Sequence, residues 1–179
     1  MVSFALSEEQ QMLEAMTREF VANEVIPAAE HHDRDGLYPT EIAAKAFELG
    51  LMNITIADAY GGGDLGHMEE AIITEELAYG CAGMAISMTV NNLSSVPIQI
   101  GGNEEQKQKW LGMLTEEHCT ASYCLSEPDA GSDAAGLRTT AVLQGDHYVI
   151  NGTKAWVSGG AHSRFFTLFA TTDPGSGYE

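Results

Sequence analysis

Positive charge is what this sequence has least of. Eight Lys and Arg stand against 26 Asp and Glu in 179 residues, a net charge of −18. A chain this acidic lacks the basic patches that grip nucleic acid or an anionic membrane surface. Cysteine is also scarce. Cys81, Cys119 and Cys124 are an odd set without C-x-x-C spacing, which excludes a disulfide framework and reads as reduced, apolar core thiols. No apolar run approaches the roughly 20 residues of a membrane helix. Residues 1–10 carry neither the basic region nor the apolar stretch of a secretory signal. The location these absences predict is cytoplasmic. Residues 58–66 are rich in glycine, but they follow no strand and lack the G-K-[ST] ending of a phosphate loop.

What the chain does have is 44% hydrophobic residues, enough for a sizeable core. Through residue 116 they recur at helical spacing. Ser7-Glu8-Glu9-Gln10 is a capping box, with Leu6 as its hydrophobic staple. Leu13, Met16 and Phe20 follow, with Val21 and Val25 beside them, until Pro27 breaks or bends the helix. His31 and His32 are adjacent, so they diverge and read as solvated rather than as a metal pair. Pro39 suits the start of a second helix and Gly50 its end, with Ile42, Ala43, Ala46 and Leu49 on one face. The glycine-rich residues 58–66 read as a mobile connection or a simple linker. A third helix places Ile72, Ile73 and Leu77 inward and the pairs Glu69-Glu70 and Glu75-Glu76 mostly outward. Residues 82–100 contain no charge and predict a buried central helix, with Pro97 near its end. Asn103 to Gln106 caps a last helix carrying Trp110, Leu111 and Leu114.

Near Glu117-His118 the period changes from 3.6 to 2. Ala121, Tyr123 and Leu125 alternate with Ser122, Cys124 and Ser126, a strand that breaks at Glu127-Pro128. Ser126, Ser132 and free backbone N–H groups are then left on a corner beside an aromatic ring. Such a corner either binds a polar ligand or is an ordinary strand exit with local Ser and Asp bonds. Residues 139–143 and 147–150 flank a short turn at Gln144-Gly145-Asp146, and Asn151-Gly152 is a second hairpin signal. Ala155, Val157 and Gly159 alternate with Trp156 and Ser158, and residues 165–170 close with another strand. The expected fold is α+β: an all-helical N-terminal bundle, residues 1–118, then the start of an antiparallel, barrel-like β domain, residues 119–179. A sheet with so few strands and an open edge is a poor place to stop, so the chain reads as a fragment.

Two segments carry a resemblance. Y-C-L-S-E-P-D-A-G-S-D at 123–133 and N-G-T-K-A-W-V-S at 151–158 resemble, in order and spacing, the matching segments of acyl-CoA dehydrogenases. Asp129 stands where many members have Gly, and Ser126 and Ser158 stand where many have Thr. The resemblance implies FAD as cofactor and conversion of an acyl-CoA thioester to its 2,3-enoyl-CoA, in fatty-acid or branched-chain amino-acid breakdown. A carboxylate takes the α proton while the β hydrogen leaves as hydride. It implies that Tyr123, Cys124, Leu125, Ser126 and Ser132 lie along the flavin ring, with Ser126 bonding its pyrimidine side. Trp156 and Val157 would pack near the ring, Ser158 would bond near the hydride-accepting nitrogen, and Ser132 would also touch the CoA chain. Arg138, Lys154 and Arg164 are the local donors left for an anionic CoA.

The resemblance assigns no catalytic base to any residue here, Glu127 included, and no metal. It implies an electron-transfer flavoprotein as acceptor and a homo-oligomer in the full-length protein. Met84, Met88 and Val90 are candidates for the acyl pocket wall, and the surrounding runs look most like short and branched-chain members such as isobutyryl-CoA dehydrogenase. Acyl-CoA oxidases and flavin monooxygenases share the scaffold, and a non-catalytic helical binding module is the reading from another class.

Overall fold

A computed structural model describes residues 5–174. Residues 1–4 and 175–179, the outer ends of the two expected domains, lie outside the described residues.

Helix α1 (Glu8–Phe20) begins on the expected capping box: the Ser7 hydroxyl accepts from the Gln10 N–H at 3.1 Å, and Gln10 Oε1 accepts from the Ser7 N–H at 3.0 Å. Pro27 does not end the helical run. A π-helical turn, Val21–Val25, joins α1 directly to α2 (Ile26–Asp35), so Pro27 falls in the first turn of α2, where a missing N–H costs nothing. The wide turn aims Val21 and Val25 at Gly80, where a Cβ would come within 2.6 Å of Val21 Cγ1. Helix α3 (Thr40–Glu48) starts directly after Pro39 and stops before Gly50, whose φ is +71°. Ile42, Ala43 and Ala46 are buried as expected; Leu49 is exposed because it lies past the last helical residue, where the chain turns away.

Helix α4 (His67–Gly101) is bent at Cys81, which sits at φ −165°, ψ 113°. Its first part buries Ile72, Ile73 and Leu77. Glu76, expected outward, is buried too, because its carboxylate accepts from Arg18 Nε at 3.0 Å across the α1–α4 contact. Pro97 sits near the end of the helix, as expected, and the helix runs on to Gly101. Met84 and Met88 pack into the main core with Phe20, Val25, Ile54 and Leu77, and Val90 is buried as well. Met84 also lines a cavity with Tyr38, Cys81, Ser87 and His162, and the large apolar side chains that α4 leaves exposed include Ile86, Leu93 and Val96. Helix α5 (Glu104–Glu116) opens on a second capping box, with both Asn103–Gln106 bonds at 2.9 Å. The glycine-rich loop is no loose connector: Asp64 N donates to Ile56 O at 2.9 Å and Leu65 N to Ile54 O at 2.8 Å.

Four strands follow: β1 (Thr120–Cys124), β2 (Thr140–Gln144), β3 (His147–Asn151) and β4 (Ser163–Leu168). β2 and β3 form the expected antiparallel hairpin around Gly145, whose φ of +67° suits the turn. β1 and β4 pair in parallel, which the long crossover between them permits. Ala141 N donates to Thr171 O at 2.9 Å and ties the two pairs together. Asn151-Gly152 does not turn a hairpin, and residues 155–159 are irregular rather than a strand. Gly152 is pressed on Thr139, where a Cβ would fall 2.3 Å from the hydroxyl, and Trp156 at φ +58° breaks any extended run. The architecture is a helical part followed by the start of a sheet domain, with no closed barrel among the described residues.

Candidate active-site face

Strand β1 leads into a tight turn. Glu127 N donates to Ala130 O at 2.8 Å and Ala130 N returns to Glu127 O at 3.3 Å, with Pro128 and Asp129 between them, a position that suits proline's fixed φ. Two donors expected to face a ligand are thus spent inside the corner. The second bend closes on itself through Gly160 N to Val157 O at 3.1 Å, with Gly159 at φ +69°.

The two bends meet. Ala155 N donates to Ser126 O at 2.9 Å, the Ser122 hydroxyl to Ser158 O at 2.7 Å, and Lys154 Nζ to Leu125 O at 2.9 Å. The strongest link is a buried ion pair that sequence reasoning missed. Lys154 Nζ lies 2.8 Å from Glu127 Oε1, with side chains 8% and 6% exposed. Glu127 also accepts from Arg138 N at 2.7 Å, from Thr139 N at 2.9 Å, and from the Thr139 hydroxyl. Burial pushes its pKa upward, but Lys154, the Thr139 hydroxyl and the two N–H groups outweigh it and hold the carboxyl at about 2. Glu127 is a fixed anion bolting the first bend to the second, with three donors on Oε1 and one on Oε2. Lys154, read as a donor for CoA, is consumed by that bolt. Arg138 and Arg164 remain at the surface, 3.3 Å from Asp129 and 3.6 Å from Glu117. The E-P and N-G-x-K motifs are visible in the sequence, but pairing Glu127 with Lys154, 27 positions away, needs the intervening chain to fold back.

Each predicted site residue has a definite place. Tyr123 is half-buried, its ring tilted on Phe169 at 5.1 Å. Cys124 is buried, and burial raises its thiol, with Lys154 opposing. Leu125 and Val157 are half-buried, and Ser132 is exposed on the far side of the turn, with no hydrogen bond to the second bend among the described residues. Ser126 and Ser158 are half-buried with both carbonyls used, yet among the described residues neither hydroxyl has a hydrogen-bond partner. Trp156 holds a left-handed backbone and leaves its indole 92% exposed. Such strain is retained where it places a side chain for a task. Two unpaired hydroxyls and an open indole on neighbouring bends fit a flat heteroaromatic ring with polar edge atoms, which is the chemistry of an isoalloxazine.

Comparison with known proteins shows the family. The profile of the acyl-CoA dehydrogenase N-terminal domain matches residues 7–118, and that of the acyl-CoA dehydrogenase middle domain matches residues 122–179. A probable medium-chain specific acyl-CoA dehydrogenase 2, mitochondrial, of Caenorhabditis briggsae is 42% identical over 97% of this chain and 42% of its own length. The butyryl-CoA dehydrogenase structure from Megasphaera elsdenii superposes with a TM-score of 0.90 at 32% identity, covering 98% of this chain and 47% of that one. An acyl-CoA dehydrogenase of Bacillus anthracis complexed with FAD gives 0.86 at 35% identity, over 96% of this chain and 30% of that one. The chain thus spans less than half the length of each of these relatives. With both domain profiles matched in order and the two bends joined as described, this chain belongs to the acyl-CoA dehydrogenase family.

Proposed function

We propose that this chain supplies the flavin-ring side of an FAD-dependent acyl-CoA dehydrogenase, which converts an acyl-CoA thioester to the 2,3-enoyl-CoA. Residues 1–118 form its helical domain, and 119–179 part of its middle domain. The observation that carries this reading is the junction of the two bends, with the Ser126 and Ser158 hydroxyls unpaired beside the open Trp156 ring. Bound FAD would supply the hydride acceptor. Ser126 would then hydrogen-bond the pyrimidine edge of the ring, and Ser158 the central-ring edge. Such fixed donors stabilise charge that develops during reduction. Tyr123, Cys124, Leu125 and Val157 shape the wall behind the ring, and Trp156 packs against it. Ser132, exposed past the turn, would contact the CoA chain.

Glu127, fully engaged by four donors, supports the fold rather than the chemistry, and no residue of this chain is assigned as the base. An electron-transfer flavoprotein is the proposed electron acceptor, and the assembled enzyme is proposed to be a homo-oligomer of the cytoplasm acting on short or branched acyl groups.

The test is a titration of the purified chain with FAD, read by visible absorbance, followed by ferricenium reduction with acyl-CoA. Weak, saturable FAD binding without turnover by this chain alone is expected. Absence of saturable binding, or strong turnover by this chain, would contradict the proposal.

A further inference from the structure

We propose that Asn91, on α4, is the positioning residue that sets the first bend against the flavin ring; this rests on the flavin-side reading above. Asn91 is fully buried, and both polar atoms of its amide are used. Nδ2 donates to Cys119 O at 2.9 Å and to Asn53 Oδ1 at 3.0 Å, and Oδ1 accepts from Ala121 N at 2.8 Å. Donors and acceptors are matched on each side, so the amide has one orientation.

It grips β1 at a particular place. The β1–β4 register shifts between Thr120 and Ala121. That irregularity interrupts the ladder and leaves the Ala121 N–H to the helix. The Ser94 hydroxyl, one turn further along α4, shares its proton between Val90 O at 2.8 Å and Ala121 O at 3.0 Å. Ala121 is thus held by α4 at both its N–H and its carbonyl. From there β1 runs through Tyr123, at about 3.3 Å per residue, and leads into the bend at Ser126.

The far side of the clasp is equally firm. Asn53 holds a left-handed backbone at φ +59° and donates from Nδ2 to Leu114 O, so Asn91 leans on a side chain that is itself fixed to α5. On β4, the Thr167 hydroxyl donates to Ser94 O at 2.7 Å. The sheet therefore rests on α4 through directional bonds as well as apolar contact. An apolar side chain at 91 would fill the space without fixing the strand's position along the helix.

The test uses the whole chain and two variants, Asn91→Leu and Ser94→Ala. In Asn91→Leu, amide hydrogen exchange across residues 119–126 is expected to rise about tenfold, while α1 to α3 change less than about twofold. FAD affinity is expected to fall about tenfold in the same folded variant. Ser94→Ala removes one bond of the same clasp, is the milder change, and is expected to show the same local pattern at about threefold. Unchanged exchange at 119–126, or a rise shared equally by α1 to α3, would overturn the proposal. If the unaltered chain binds no FAD, the functional reading fails by itself, and the exchange comparison still decides the role of Asn91.

Discussion

Glu127→Ala is expected to lower the stability of this chain by about 3–5 kcal/mol at neutral pH, since it strands a buried ammonium. Lys154, 8% exposed, would keep only the Leu125 carbonyl. The reverse change, Lys154→Met, should cost less, about 2 kcal/mol, because Glu127 would retain the Arg138 and Thr139 donors. The pH dependence has a definite sign. The folded-state value is held down at about 2, so the contribution is present above the unfolded carboxyl value of about 4.3 and is lost as pH falls toward the folded value. The gap between the unaltered chain and Glu127→Ala should therefore be full at pH 6–7 and narrow progressively from about pH 4.5 downward. Urea unfolding at a series of pH values measures this directly. A gap independent of pH would show that the ion pair is not its source.

Gly62→Ala is the second large effect. A Cβ at this position would lie 2.0 Å from Ile56 O and 2.5 Å from Ile56 C. The obstacle is backbone, held by Asp64 N to Ile56 O, so no side chain can swing aside. A loss of about 3 kcal/mol is expected, or roughly 6–12 °C in Tm. Gly131→Ala is the control: nothing lies within 4 Å of its added Cβ and its φ is not positive, so it should stay within about 0.5 kcal/mol of the unaltered chain. Thermal melts of the two variants side by side separate a loop that is packed from one that merely connects.

The same glycines show what the sequence made legible. Both capping boxes, the apolar faces of α1, α3 and α4, and the change of period after α5 are local signals, and each corresponds to an observed element. The alternation at 155–159 predicts a strand, but alternation describes side chains, and the left-handed Trp156 backbone interrupts the extended run. Pro27 was misread because the π-helical turn ahead of it supplies a place where proline fits. Glu76 reads from sequence as an outward charge and Lys154 as a donor for CoA; each is buried by a partner 58 or 27 residues away, a distance that periodicity cannot bridge. The motif pair at 123–133 and 151–158 pointed to the family because it resembled it. The bolt between the bends emerged only from the fold.

The central claim is that the two bends face one flavin ring, and Trp156 reports on it. With Trp110→Phe, Trp156 is the only indole left in the chain. FAD titration should then quench its fluorescence saturably, with the same midpoint as the visible absorbance change, and Ser126→Ala with Ser158→Ala should shift both midpoints together to higher FAD. Binding of FAD that leaves Trp156 emission unaltered, or a midpoint indifferent to the loss of both hydroxyls, would contradict the account.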